Sequence, residues 1–480
     1  MPEFTADELA QWTGGSWSIE PVQRIQGFSI DSRTIAAGEL FVAVRAERDG
    51  HGFMETAIAR GAVAALVDHW IEGLEFPQLR VSDTVRGLQD CAREWRTRFK
   101  GTVIGLTGSC GKTSTKEMLR LLLERRGVYA TEGNLNNYLG AALSILKLDS
   151  SIHQYGVIEL GINRIGEMDT LAAMLRPDVG IVTMVGPAHL EGLGSIEGVA
   201  DEKSKMLESI SAGGFAVYPE SCLRFSAFQR RAKDASGDIL LMEKARGVRY
   251  EAKEFSTNYT QLESVDSNAW SADSNACTEG AIELQLPFGA RSPLYLTIEE
   301  GSLGMRSNWT LAAVVATKLG IERAEIEAAS RGWKPGKNRG EVMSCGEITY
   351  FLDGYNANPA SMLDSMDYFK QRFVGLPHLW VIGGMHELGA ASEAWHETVG
   401  TALRLGAEDR AVFVGDFGSA LREGALKAGN DPARMAQVEK TEAVGELLKG
   451  FKGAVFLKGS RFYRMESLVE GAKKKEVGAC

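Results

Sequence analysis

The run Thr107-Gly108-Ser109-Cys110-Gly111-Lys112-Thr113-Ser114-Thr115-Lys116 gathers the groups that bind a polyphosphate. Gly108 and Gly111 let the backbone N–H groups of the loop, from Ser109 and Cys110 through Ser114, converge on phosphate oxygens. Lys112 supplies a full positive charge, and the Thr113 hydroxyl suits a Mg²⁺ ion. The bland alternative is a glycine turn joining a strand to a helix. The flanks support the sharper reading. Residues 102–106 are an apolar, β-branched run, and Met118, Leu119, Leu122 and Leu123 recur at helical spacing. A strand, a glycine loop and a helix starting near Thr113 make a nucleoside triphosphate site. Cys110 has two readings. Either it fills a small-residue position through its backbone, or the helix N-terminus and Lys112 lower its thiol pKa from about 8.5 toward roughly 3.5–7.5.

Three more residues downstream ask for chemistry. Glu159 closes the apolar run of residues 155–161, and a carboxylate there is costly without a cationic partner. A hard carboxylate suits Mg²⁺. His189 follows the strand of residues 178–185 on the same sheet edge; a histidine is an unusual Mg²⁺ ligand, so by itself it reads as a structural side chain. Lys203 shares a face with Val199 and Met206 on a helix over residues 196–207, where an ammonium is unfavourable unless paired, neutral or modified. Lys205 points elsewhere and stays an alternative. Asn134, Asn136 and Asn137 precede a helix over residues 139–146. They could cap it, but three at one strand end favour substrate contact.

Positioning these groups requires α/β units. The first 80 or so residues alternate short strands (28–33, 40–44, 64–67) with one helix, and His51 in Asp49-Gly50-His51-Gly52-Phe53 reads as a hydrogen-bonded histidine. A helix over residues 84–99 leads to the nucleotide loop. Residues 282–286 and 294–298 alternate as antiparallel flanking strands, and helices follow over 308–319 and through Ala329. Pro335 and Gly336 mark a hinge. Beyond it, strands 348–352, 379–382, 411–414 and 454–457 alternate with helices as a second doubly wound domain. Their ends carry Asp353-Gly354-Tyr355-Asn356-Ala357-Asn358-Pro359, Gly383-Gly384-Met385-His386-Glu387-Leu388-Gly389 and Lys458-Gly459-Ser460-Arg461. The predicted fold is α/β in three domains: a small N-terminal substrate domain (1–83), a central phosphate-loop ATPase domain with a mostly parallel sheet (84–334), and a C-terminal Rossmann-like domain (335–480).

Composition narrows the class. A net charge of -10 without a basic block argues against nucleic-acid binding, and Lys473-Lys474-Lys475 reads as a solvated end. The six cysteines, Cys91, Cys110, Cys222, Cys277, Cys345 and Cys480, lack metal or disulfide spacing, which suits a reducing cytoplasm. No signal-peptide pattern and no apolar run of roughly 20 residues is present. The expectation is a soluble cytoplasmic enzyme without membrane insertion.

Together, D-S-R, G-E-L-F-V-A, T-G-S-C-G-K-T, G-N-L-N-N, I-E-L-G, A-H-L-E-G, D-G-Y-N-A-N-P, H-E-L-G and L-K-G-S-R resemble the Mur ligase family over nearly the whole chain. Y-N-A-N-P with E-L-G-A-x-S-E-x-x-H is similar to members that add D-alanyl-D-alanine to UDP-N-acetylmuramoyl-tripeptide, with ATP consumed through an acyl phosphate. The D-N-P-R signature of third-residue ligases is absent. The resemblance implies that Lys112 and Thr113 hold the triphosphate and one Mg²⁺, and that Glu159 and His189 are Mg²⁺ ligands. Lys203 aligns with a lysine carbamylated by CO₂, whose carboxylate-like group serves a second Mg²⁺. Asn338, Arg339 and Asp353 match positions reaching ATP. Ser29, Asp31, Ser32 and Arg33 are candidates for the UDP group, while Tyr355, Asn356, Asn358, Lys458, Ser460 and Arg461 are candidates for the acceptor side. A monomer is expected. Two segments depart from the family. Residues 304–309 lack the histidine of G-x-H-N-x-x-N, so Asn308 aligns with either asparagine near the adenine, and Gly383-Gly384-Met385-His386 replaces G-D-M-A. The rival readings are a third-residue or folate polyglutamate ligase, and a nucleotide-gated scaffold without catalysis.

Overall fold

A computed structural model describes residues 2–232, 238–245, 249–254, 281–286 and 293–477. Cys277 and Cys480 lie outside them, as does much of the loosely patterned stretch before Glu300; the four described cysteines are free thiols.

Three sheets are drawn from successive stretches of the chain. The first has four parallel strands, Gly27–Ser29, Glu39–Val42, Ala64–Val67 and Gln78–Arg80, with Ser16–Trp17 antiparallel on the last. Sequence reasoning expected a strand over 28–33; it ends at Ser29 because Ser29 and Asp31 close a turn, Asp31 N–H donating to Ser29 Oγ at 3.2 Å. It also expected one helix where there are two. The helix Ala6–Thr13 carries a complete capping box, Thr5 and Glu8 each accepting the other's backbone N–H. That signature was present in Thr5-Ala6-Asp7-Glu8.

Among the described residues, the central sheet has nine strands. Its parallel part runs Ile239–Ala245, Phe215–Pro219, Val179–Val182, Thr102–Thr107, Tyr155–Glu159 and Val128–Ala130, side by side. Both faces are covered, so Thr102–Thr107 and Val179–Val182 are buried nearly throughout, which explains their unbroken apolar sequence. Arg249–Glu254, Ala281–Gln285 and Leu294–Thr297 extend the sheet, the last two antiparallel as expected. The helix Lys112–Leu123 rises from the glycine loop and meets Leu303–Lys318. The expected helix over 196–207 is α-helical to Ser204 and tightens to 3₁₀ over Lys205–Ser209.

The third sheet has five parallel strands, in the order Ile348–Leu352, Gly453–Lys458, His378–Gly383, Arg410–Val414 and Met435–Val438, with Glu341–Cys345 antiparallel at one edge. This is the α/β architecture in three units. The units touch through specific groups. Arg98 Nη1 donates to Glu8 Oε1 at 2.5 Å, and the Phe4 and Trp95 rings lie 4.6 Å apart. Between the second and third units, Asn358 Nδ2 donates to the Ser109 carbonyl at 2.9 Å, and Asp364 accepts the Ser302 hydroxyl at 2.5 Å and the Gly304 N–H at 3.0 Å. Among the described residues, no helix is long and apolar enough to cross a membrane.

Candidate active site

In a parallel sheet the loops after the strands gather at one edge, and ligands bind there. Here that edge, with the third unit set against it, encloses a cleft of about 300 Å³. Ser109, Cys110, Gly111, Lys112, Thr113 and Ser114 line its floor. Gly111, the residue before the helix Lys112–Leu123, has φ +84°, and a Cβ there would stand 2.6 Å from the Asn308 amide. A Cβ on Gly108 would collide with the Thr183 hydroxyl. Both glycines are therefore needed for the loop to lie this close to its neighbours.

Lys112 Nζ donates to the Gly108 carbonyl at 2.7 Å, curling over its own loop. Burial lowers the pKa of this ammonium, with the Glu159 carboxylate opposing the shift. Glu159 is buried, and its two oxygens accept from Thr113 Oγ1 at 3.0 Å and Asn136 Nδ2 at 2.8 Å. His189 lines the same cleft, with φ +54° and Nδ1 2.6 Å from Glu387 Oε2. From the third unit come Arg339, Asp353, Tyr355, Asn356, Asn358 and Lys458. Arg339 stacks its guanidinium 3.8 Å from the Tyr355 ring centre, and Lys458 Nζ donates to Asp353 Oδ2 at 2.5 Å. Asn338, also with positive φ, is buried just outside with Oδ1 unpartnered.

Lys203 does not line the cleft. It is fully buried behind it, and its Nζ has no hydrogen-bond partner. Burial drives its pKa well below that of an ordinary lysine, and the charge on Lys112 pushes the same way against Glu202. Lys205 instead pairs with Asp169 at 2.8 Å and Glu202 at 2.7 Å.

Other expected site residues stand apart. Asn137 borders the cleft but also caps the helix Tyr138–Leu146, accepting from the N–H groups of Leu139 and Gly140. Asn134 is exposed on its loop. Ser460 is buried, its hydroxyl accepting the His386 N–H at 2.9 Å, while Arg461 faces Glu466 at 3.4 Å. In the first unit, Ser29, Asp31, Ser32 and Arg33 form a turn, the Arg33 guanidinium holding Asp31 down to about 2. His51 is buried with Nδ1 2.6 Å from Asp49, beside Asp68 and His69; Arg45 supplies that cluster's cation, 2.9 Å from Asp68.

For Cys110, which lines the cleft half-buried, the environment works against the lowered-pKa reading. Burial pushes the thiol up, and the pull of Lys458 and Lys112 does not offset it. Sequence reasoning missed Ser361, Asp364, Ser365 and Tyr368, which line the cleft from one face of the helix Pro359–Arg372. Their i, i+3, i+4, i+7 spacing was the available signal.

Comparison with known proteins follows the same geometry. The profile of the Mur ligase middle domain matches residues 106–287, and that of the Mur ligase, glutamate ligase domain matches 338–461. The UDP-N-acetylmuramoyl-tripeptide–D-alanyl-D-alanine ligase of Treponema pallidum is 30% identical over 462 residues, 92% of each chain. The chain belongs to the Mur ligase family. The crystal structure of MurF from Acinetobacter baumannii superposes on this Mur ligase with a TM-score of 0.81 and 27% identity, covering 99% of both chains. MurF ligase from Thermotoga maritima, solved in complex with ADP, gives a TM-score of 0.74 at 25% identity, over 95% of this chain and 98% of that one.

Proposed function

We propose that this Mur ligase adds D-alanyl-D-alanine to UDP-N-acetylmuramoyl-tripeptide, consuming ATP and releasing ADP and phosphate. The observation that carries the reading is one cleft in which a phosphate loop and a buried carboxylate face the Tyr355-Asn356-Ala357-Asn358 segment of another unit. The Treponema pallidum relative bears this activity in its name, and the Thermotoga maritima ligase is an ADP complex.

The residues divide the work as follows. The loop N–H groups of Ser109 to Ser114 and the Lys112 ammonium grip the triphosphate, and Asn308 and Arg339 flank the nucleotide. The peptide carboxylate attacks the γ-phosphorus, ADP leaves, and the amine of D-alanyl-D-alanine then displaces phosphate from the acyl phosphate. Lys112 neutralises charge developing on the transferring group; losing such a donor costs about 2.7–4 kcal/mol in the transition state. Asp353, Tyr355, Asn356, Asn358, Lys458, Ser460 and Arg461 form the acceptor side. Ser29, Asp31, Ser32 and Arg33 hold the UDP end. Units 1–83, 84–334 and 335–480 thus serve UDP, ATP and amine, and their contact keeps water from the acyl phosphate.

The donor set fits two Mg²⁺ ions: Thr113, Glu159 and His189 offer hard or neutral ligands along the cleft, and the orphaned Lys203 Nζ fits carbamylation. A buried, depressed amine is the form that adds CO₂, losing a proton and gaining a carboxylate-like group. Mg²⁺, when bound, shields the phosphoryl oxygens.

The test is product release. ADP and phosphate should appear only with both UDP-N-acetylmuramoyl-tripeptide and D-alanyl-D-alanine present. Equal turnover of the dipeptide precursor with lysine or meso-diaminopimelate would move the activity to the third-residue reaction.

A further inference from the structure

Glu387 belongs to the third unit, yet its carboxylate lies 2.6 Å from Nδ1 of His189 in the second. Both residues hold left-handed backbone, φ +65° and +54°. Such conformations are unfavourable for side chains other than glycine and persist where surrounding structure imposes them. Here it does: the Glu387 carbonyl accepts the Glu191 N–H at 3.1 Å, and Gly389 packs so closely that a Cβ would stand 3.1 Å from the Glu191 Cα. The loop is clamped by backbone to the segment that carries His189, so the contact is not a chance meeting of two exposed side chains. The His189 side chain is only 19% exposed.

An imidazole offers a cation one nitrogen, and the partner of the other nitrogen decides which. Nδ1 is buried and makes no hydrogen bond in this arrangement, so the 2.6 Å contact lies off the N–H line; a small turn of the ring puts the Nδ1 proton on the carboxylate and leaves the Nε2 lone pair free. Metal-bound histidines almost always donate the other ring N–H to a carboxylate, a backbone carbonyl or a water. We infer that Glu387 is a positioning residue that reaches across the unit boundary to present His189 Nε2 to a divalent cation. The cation site is then complete only while the second and third units are docked. This rests on the reading of His189 as a Mg²⁺ ligand.

The test uses full-length protein with ADP and Mn²⁺, the free ion being counted by electron paramagnetic resonance. Glu387→Gln, which keeps size and removes charge, should weaken Mn²⁺ binding about 10–100-fold, with the circular dichroism spectrum unchanged. Added to His189→Ala it should cause no further loss, because the two act as one unit. Unchanged Mn²⁺ affinity in Glu387→Gln, or a full additional loss in the His189→Ala background, overturns the inference while leaving the metal reading standing. No Mn²⁺ binding in the unaltered protein removes the metal reading and this inference together.

Discussion

Lys203 and Lys205 sit two residues apart and live in opposite environments. Lys203 Nζ is buried without a partner, whereas the Asp169 and Glu202 carboxylates more than offset burial and hold the Lys205 ammonium above its ordinary pKa. Lys203→Ala should lose about 10²–10³ in ligation rate, as when a transition-state donor is removed. Short carboxylic acids that fill the vacated space should restore part of it. Lys205→Ala should keep most activity in the molecules that fold, because its ammonium is tied to Asp169 and Glu202 and does not line the cleft; its cost falls on stability, since Glu202 is left buried without that cation. Steady-state assays with and without added acetate check both, and exchanged phenotypes would place the modified amine at Lys205. This contrast was legible in the sequence, since Val199, Lys203 and Met206 share a helical face. The fate of Cys110 was not legible. Helix position and a neighbouring lysine can be read from a sequence, but the amount of protein folded over a thiol cannot.

At the level of elements, long periodic or wholly apolar segments were readable, as were the edge strands Gly27–Ser29 and Leu294–Thr297, but two other edge strands were not. Glu341–Cys345 and Met435–Val438 escaped because each lies at a sheet edge with partly exposed residues, so neither shows an unbroken apolar run nor a strict alternation. The junction between Phe215–Pro219 and Ile239–Ala245 holds a feature that no pattern announces. Asp238 is buried, one carboxylate oxygen accepting the Ala216 N–H at 2.7 Å and the other lacking a partner. Burial raises its pKa to about 6. A folded-state pKa above the unfolded one gives stability below the unfolded pKa, near 3.9, that is lost as pH rises through the folded value. Asp238→Asn, which removes the ionisation, should therefore differ little in melting temperature near pH 4 and melt higher than the unaltered protein at pH 7.5. Melting curves across that range decide it; a variant that melts lower at pH 7.5 would contradict the burial argument.

For the whole molecule, the order of three α/β units followed from where strands, glycine loops and the Pro335-Gly336 break fall. How the units meet did not, because contacts such as Asn358 with Ser109 join residues 249 positions apart. Asp364 is the most consequential of these. Burial raises its pKa, with the Ser302 hydroxyl and Gly304 N–H opposing, so the carboxylate is held in place by the unit it docks on. Asp364→Ala leaves those two donors short of a partner, a loss of about 1–3 kcal/mol each where they stay dry. Small-angle scattering should show a larger radius of gyration for the variant, and its ADP affinity should fall. Unchanged scattering and affinity would show that other contacts hold the units together.

The helix Leu303–Lys318 begins at Ser302, whose hydroxyl accepts the Met305 N–H, and Asp364 from the next unit sits over this same end. Its second turn carries Asn308, wedged against Gly111. One unit thus supplies the other with the charge that complements a helix end. Warming that separates the two strips the end bare, and fraying of the first turns runs straight to the phosphate loop.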